Sequence, residues 1–290
     1  MIRTVNDAYL DLRDEFRRRG IAGYSVEARE LVAFALGLEP EAFYDKRNQY
    51  IFDKDEKRLA ELKARRYSGV PLQHITGRWE FYGLPLEVTE DTLIPRPDTE
   101  TLAETGIQLL KDRARGRFLD LCCGTGCVGL AILKNVSREI HGVLGDLSEA
   151  ALEVARRNIS ALHLTGQALA FAVDATKPAD PVLGRFQLIV CNPPYIPSAE
   201  IPTLDIEVQK EPHMALDGGE DGLDFYRAVT KNFAPALTNG GALAFEVGLG
   251  QWEAVMKIME ESGFRYVQTR CDLAGIERVV WGIWDQPHHD

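Results

Sequence analysis

Cysteine is scarce. Five in 290 residues, three of them crowded at 122–127, do not make a disulfide framework, so a reducing, cytoplasmic compartment is expected. Long apolar runs are absent too: none approaches the roughly 20 residues of a membrane span. Met1 to Arg19 is charged throughout and has no signal-peptide core, and no membrane partner is expected. Positive charge is outnumbered, with 33 Lys and Arg against 44 Asp and Glu, a net charge of −11. That balance argues against a protein whose main business is coating nucleic acid, and no direct nucleic-acid partner is expected. The chain has no internal repeat and no low-complexity segment. No metal is expected either. Cys122 and Cys123 are adjacent and cannot easily ligate one ion, and no matching Cys or His pair follows Cys127. Small apolar packing is the better account of these three, and Cys191 and Cys271 read as core. His74, His141 and His163 lack a Ser, Cys or Asp partner at motif spacing, so no triad is supported. His288 and His289 are tail residues.

What remains is ordinary soluble-protein material, 45% hydrophobic and 27% charged, in a length that suits one large or two ordinary domains. Residues 1 to about 75 read as a small helical bundle. Val5, Tyr9, Leu12 and Phe16 recur at helical spacing. Ser25 is placed to cap a helix that runs through Leu36 and stops at Gly37, and a third helix starts at Asp53. Residues 76–95 change character: Trp79–Tyr82 and Leu84–Val88 alternate around Gly83, which predicts a hairpin. Ile94-Pro95-Arg96-Pro97 is a stiff lead into a helix over 100–110, capped by Asp98 or Thr99. Arg96 is within sequence reach of a carboxylate across a crevice.

From residue 96 to 290 strands and helices alternate, which implies an α/β domain around a mostly parallel sheet. The expected strands are 118–121, 141–145, 168–173, 186–191, 242–247, 266–273 and 277–284. The expected helices are 130–135, 148–161, 224–237 and 252–262. Three strand ends carry chemistry. Cys122-Cys123-Gly124-Thr125-Gly126 is a glycine turn that lets backbone N–H groups approach a ligand. Asp146 ends the second strand, 20 residues beyond Gly126, where an acid can accept both hydroxyls of a ribose. Asp174-Ala175 ends the third and is placed to grip an adenine edge.

Asn192-Pro193-Pro194-Tyr195 ends the fourth strand. Two prolines cannot continue a strand, so the chain breaks sharply after a polar amide. A planar NH2 group is a poor nucleophile because its lone pair is delocalised. An acceptor pair aimed at its two hydrogens, the Asn192 side-chain oxygen and a carbonyl freed at the break, would hold it and turn the lone pair toward an electrophile. Tyr195 can pack flat on the acceptor's planar group and offer its ring face to a cation such as a methyl sulfonium. Ile196 to Gly222 is long for a connection, acidic, and suited as a lid over a basic peptide.

Taken together these motifs resemble the S-adenosylmethionine-dependent amino-methyltransferases. The chain is similar above all to the release factor glutamine methyltransferases of the HemK/PrmC type. Ile94 to Glu100, Asp120 to Gly126, Asp146, Asn192 to Tyr195, Glu211-Pro212 and Gly218 to Asp224 all look like that family. The resemblance implies a Rossmann-like, seven-stranded methyltransferase domain over 96–290, joined by a β-hairpin over 76–95 to a partner-binding helical bundle over 1–75. It implies S-adenosyl-L-methionine as cofactor and methyl transfer to the Gln side-chain amide in the Gly-Gly-Gln loop of a release factor, by an enzyme expected to be monomeric. By the same resemblance Asn192 and the Pro193 carbonyl hold the amide, with Pro194 and Tyr195 beside it and Tyr195 walling the pocket. Cys122, Cys123, Gly124, Thr125, Gly126, Asp146, Asp174, Ala175 and Asn192 would hold the cofactor.

One departure is Cys122, where the family's loop usually begins with Gly. A sister subfamily that methylates Gln in a ribosomal protein often has Cys there, but Ile94–Pro97 and the C-terminal stretch favour the release factor. The alternatives are methylation of an adenine or cytosine amino group, a dinucleotide enzyme (Gly124, Gly126 and Gly129 fit G-x-G-x-x-G), and a catalytically silent adaptor.

Overall fold

The computed structural model describes residues 3–285, so His288 and His289 lie outside the described residues. The chain divides into two compact units, Met1–Gly77 with Ile206–Lys210, and Arg78–Asp205 with Glu211–Asp290.

In the first unit the helices are α1 (Val5–Arg18), α2 (Tyr24–Leu36), α3 (Phe43–Lys46), α4 (Asp53–Tyr67) and α5 (Leu72–Thr76). Thr4 opens α1 with a capping box closed by Asp7. Val5, Ala8, Leu12 and Phe16 form the buried stripe that helical spacing requires and meet Leu31, Val32, Leu59 and Leu62 in one core. Ser25 does not cap α2. The N-cap is Gly23 at φ 64°, and the Ser25 hydroxyl bonds Tyr9 Oη at 2.8 Å instead.

Arg66 on α4 is buried. Its Nε donates to Glu27 at 2.7 Å and its Nη2 to Glu207 at 2.6 Å. Arg66→Ala leaves two carboxylates facing each other, but both keep access to water (20% and 42% exposed side chains). The expected loss is therefore about 2 kcal/mol, less than for a fully buried broken pair. It is read as a lower urea midpoint at unchanged slope, and Arg66→Lys, which keeps the charge without the fork, recovers only part.

The second unit opens with the expected hairpin, β1 (Arg78–Phe81) and β2 (Leu84–Glu87), with Trp79 opposite Leu86. Its turn places Tyr82 and Gly83 at positive φ (52° and 71°), as a tight two-residue loop needs. The unit's sheet then takes in β3 (Arg115–Leu121), β4 (Glu139–Asp146), β5 (Ala168–Ala172), β6 (Phe186–Cys191), β7 (Leu237–Glu246), β8 (Phe264–Cys271) and β9 (Glu277–Trp284). The order is β5-β4-β3-β6-β7-β9-β8. β3 to β7 pair in parallel, and only β9 runs against its neighbours. The sheet is seven-stranded and mostly parallel, as expected.

The helices are α6 (Glu100–Leu110), α7 (Cys127–Asn135), α8 (Glu149–Ala161), α9 (Asp224–Phe233) and α10 (Trp252–Glu261). Alternate strand residues feed two cores. Phe118, Leu188, Val190 and Ala244 join residues of α6, α7 and α8 in one. Leu119, Leu121, Ile189, Cys191 and Phe245 join residues of α9 and α10 in the other. Phe81 and Leu86 of the hairpin belong to the first of these. Each fully buried Phe or Leu contributes about 2 kcal/mol.

Several boundaries differ from expectation. α7 starts at Cys127, because Gly126 at φ 81° already serves as its N-cap. α9 stops at Phe233, and β7 begins at Leu237 with Gly240 and Gly241 inside it. Cys271 is exposed rather than core, since it closes β8 at the outer edge of the sheet. Among the described residues no helix is long and apolar enough to cross a membrane.

Candidate active site

Strand order reverses beside β3, which has β4 on one side and β6 on the other. In such sheets the ligand crevice opens past the carboxyl ends of the strands at that reversal. Register puts the motif-bearing ends level: Leu121 pairs with Gly145 and with Cys191, and Asp146 with Ala172. The segments after β3, β4, β5 and β6 therefore converge on a single cavity of about 190 Å³. Its wall includes Cys122, Cys123, Gly124, Thr125, Asp146, Asp174, Ala175, Asn192 and Pro194. Leu93, Val173, Met214 and Phe225 supply an apolar side.

The glycine turn is tied down from below. Cys123 N donates to Gly145 O at 3.0 Å and Gly126 N to Cys123 O at 2.7 Å. Gly126 shapes the turn without lining the cavity: a Cβ there would lie 2.9 Å from Leu144 Cδ1. At Gly124 a Cβ would meet nothing within 4 Å, so the backbone is bare there. Cys122 sits at φ 60°, an unusual conformation for a residue with a Cβ. Its side chain packs against the second core beside the cavity wall.

Asp146 accepts from Gly124 N through Oδ2 and from Ser148 N through Oδ1, both at 2.9 Å. Burial raises its pKa, with those two bonds pulling the other way. One carboxylate thus sets the turn's shape while still facing the cavity. Asp174 takes Lys177 as a partner at 2.8 Å and the Thr176 hydroxyl at 2.6 Å, and the Lys177 bond, with Thr176 behind it, draws its pKa down to about 2.

Asn192 is half-buried, and its Nδ2 donates to Thr99 Oγ1 across a long 3.4 Å. Pro193 is buried and Tyr195 packs against the second core, so neither forms part of the cavity wall. The Tyr195 hydroxyl is pushed well above its ordinary pKa, first by burial and then by Glu246. Glycines hold this corner from behind. A Cβ on Gly218 would lie 2.7 Å from Tyr195 Cα, and one on Gly222 2.4 Å from Tyr195 O. Gly218 N donates to Ile196 O at 2.9 Å, and Gln251 Nε2 to Tyr195 O at 2.9 Å.

The stretch leading into α6 serves the same corner. Neither Asp98 nor Thr99 caps the helix with its side chain. Thr99 meets Asn192, and Asp98 pairs with Arg278 at 2.8 Å. Arg96 pairs with Glu211, whose Oε2 also accepts from Ile94 N at 2.8 Å. Glu211 thereby fastens the middle of the long connection, which is a series of short 3₁₀ turns and includes a bridge from Ile196 to Asp217. His74 is buried in the first unit, and His141 and His163 are exposed. Among the described residues no group of three or more His, Cys, Asp or Glu is placed to hold a metal.

Residues 7–77 match the PrmC N-terminal domain family, and residues 99–207 the methyltransferase small domain family. The release factor glutamine methyltransferase of Bradyrhizobium diazoefficiens is 38% identical over 282 residues, covering 96% of this chain and 94% of that one. That of Rhodospirillum rubrum is 42% identical over 255 residues, covering 88% and 77%. The chain belongs to the release factor glutamine methyltransferase family. Solved structures bear out the methyltransferase fold: the hMettl16 catalytic domain in complex with MAT2A 3'UTR hairpin 1 superposes with a TM-score of 0.60 at 13% identity, over 89% of this chain and 92% of that one. A methyltransferase from Pyrococcus furiosus gives 0.52 at 16% identity, over 78% and 100%.

Membership of a glutamine methyltransferase family implies S-adenosylmethionine as methyl donor. The donor set fits such a molecule: a bare glycine turn, two acids at successive strand ends and an apolar wall around one cavity. Three residues of the methyltransferase site escaped the sequence reading as site residues. Asp120 lines the cavity, is buried within β3, and accepts from Gly129 N at 2.8 Å. Burial pushes its pKa up to about 7. Thr99 and Glu246 are likewise buried at the cavity's edge or behind it. Asp120 and Glu246 each interrupt an apolar run, which was the one available signal; Thr99 lies among polar neighbours and gave none.

Proposed function

We propose that this chain methylates the side-chain amide nitrogen of the Gln in the Gly-Gly-Gln motif of peptide chain release factors, using S-adenosyl-L-methionine. The observation that carries this is the setting of Asn192. Its Nδ2 is turned to Thr99, so the oxygen is the end left to receive an N–H from an incoming amide, at the rim of a cavity built by the glycine turn, Asp146, Asp174 and Ala175.

The cofactor, when bound, supplies an electrophilic methyl on a positively charged sulfur. Cys122 to Gly126 present backbone to it, and Asp146 presents a carboxylate to its ribose. Asp174 and Ala175 border its base. The Asn192 oxygen accepts a hydrogen of the acceptor NH2, which orients the nitrogen lone pair and stabilises the charge that develops on nitrogen as it takes the methyl group; Pro193, buried behind the wall, stiffens the corner that carries Asn192. Pro194 shapes the rim, and Tyr195 backs the corner from the core. The N-methylated amide, strongly acidic while it carries the surplus proton, loses that proton to water.

Residues 1–75 are assigned the protein-substrate contact, the hairpin over 76–95 the linker, and residues 96–290 the chemistry. The exposed rings of Tyr44, Tyr50 and Phe52 on the first unit support that assignment. Incubation of purified release factor with the protein and cofactor is expected to add one methyl mass to the Gln-containing peptide, and none when that Gln is replaced by Glu. An unmodified Gln peptide after prolonged incubation would reject the proposal.

A further inference from the structure

β7 ends on Glu246, whose side chain is only 3% exposed for the whole residue and whose Oε2 is buried without a hydrogen-bond partner. A buried carboxyl in that state costs stability unless it serves something. Register shows what it stands beside. Cys191 pairs with Phe245, so the next residues on the two parallel strands, Asn192 and Glu246, are neighbours. The Glu246 carboxyl faces the Thr99 hydroxyl and the Asn192 amide, and Thr99 Oγ1 accepts from Asn192 Nδ2.

We propose that Glu246 and Thr99 are positioning residues that hold the Asn192 amide with its NH2 turned inward and its oxygen turned to the acceptor. This rests on the function proposed above. The two ends of an Asn side chain have nearly the same shape, so only hydrogen-bond partners decide which end faces the cavity. An ionised carboxylate accepts and never donates. It can therefore accept from the Thr99 hydroxyl, which leaves the Thr99 oxygen to accept from Asn192, and it tolerates only the NH2 end of that amide. With a donor in place of Glu246 the amide is free to turn over. It would then point NH2 at the acceptor's NH2, donor against donor.

The carboxyl's ionisation bears on this. Burial raises its pKa to about 7, against the pull of Thr99, Arg278 and Asn192, while Asp98 adds to the rise. Tyr195, Tyr226 and Cys127 also face it, and burial drives each of their pKa values upward, so they stay neutral there. The acceptor form is present above that pKa and is lost as pH falls through it, so turnover rises with pH through neutrality.

Glu246→Gln is expected to lower kcat about tenfold or more, leave KM for the release factor and the cofactor Kd unchanged, and flatten the rise of kcat between about pH 6 and 8. Should the Gln variant not fold, Thr99→Val and Thr99→Ser decide: Val loses turnover, while Ser, which keeps the hydroxyl, retains it. A readout without substrate is the side-chain amide signal of Asn192 in ¹⁵N-labelled protein, expected to shift with a midpoint near neutrality in the wild type and not in Glu246→Gln. A Gln variant with wild-type kcat and pH profile, or equal turnover in the two Thr99 variants, overturns the proposal. An inactive wild type whose amide signal still titrates would instead reject the functional assignment and leave the positioning intact.

Discussion

Asn192→Ala is expected to lower kcat by about 10²–10³-fold while the cofactor Kd stays within about twofold. The asymmetry follows from geometry. Asn192 stands at the rim where the acceptor arrives, and its amide donates to Thr99 rather than to any part of the glycine turn. Removing the side chain deletes an acceptor that matters most as charge builds on nitrogen, so the loss falls on the transition state. Stability changes little, because the residue is only half-buried and the corner is held by Gly218, Gly222 and Gln251. Isothermal titration and initial rates on the same preparation separate the two quantities. Parallel losses in both would make Asn192 a cofactor ligand instead of an acceptor clamp.

Asp146→Ala is expected to act in the opposite way, weakening cofactor binding by about 10–100-fold, with kcat at saturating cofactor lowered much less. Two effects add. The variant loses the acid that faces the cavity, and it releases the N–H groups of Gly124 and Ser148, each held at 2.9 Å. A lost bond of this kind costs about 1–3 kcal/mol, and Gly124 and Gly126, at φ 52° and 81°, have no side chains to restrict the backbone once it is released. Asp146→Asn is the informative companion. It keeps one acceptor oxygen, so it should sit between Ala and wild type. Unchanged affinity in the Ala variant would show that the turn holds its form by itself.

Much of the sheet was legible because its strands are apolar runs cut off by chemistry. Phe186–Cys191 ends where two prolines forbid continuation, and His141–Gly145 ends on an acid that must face solvent or ligand. The same logic located the glycine turn, Asp146 and Asn192. What it missed has a common cause. Local pattern reports whether a residue suits its own element, whereas Asp120, Thr99 and Glu246 are explained only by partners on other elements: Gly129 of α7 for Asp120, and the corner around Asn192 for the other two. Ser25 misled for the same reason: its hydroxyl has a better use at Tyr9 than at the helix terminus. The glycines at 240 and 241 read as a strand boundary, yet β7 runs through them because Gly241 packs close against the backbone of Phe186 and Thr238, where a Cβ would lie 3.2 and 2.9 Å away. Cys271 was read as core along with its strand, but its neighbours Arg270 and Asp272 are charged and an outermost strand has a side open to water.

The reversed strand has a consequence for how the protein is made. β9 follows β8 in the chain, yet its place is between β7 and β8, and among the described residues β8 pairs with no other strand. Until residue 284 has emerged, β8 has α10 to pack on but no strand to pair with, and Arg278 is missing from the cluster that surrounds Asn192. The sheet and the cluster around Asn192 thus close only after β9 has been made.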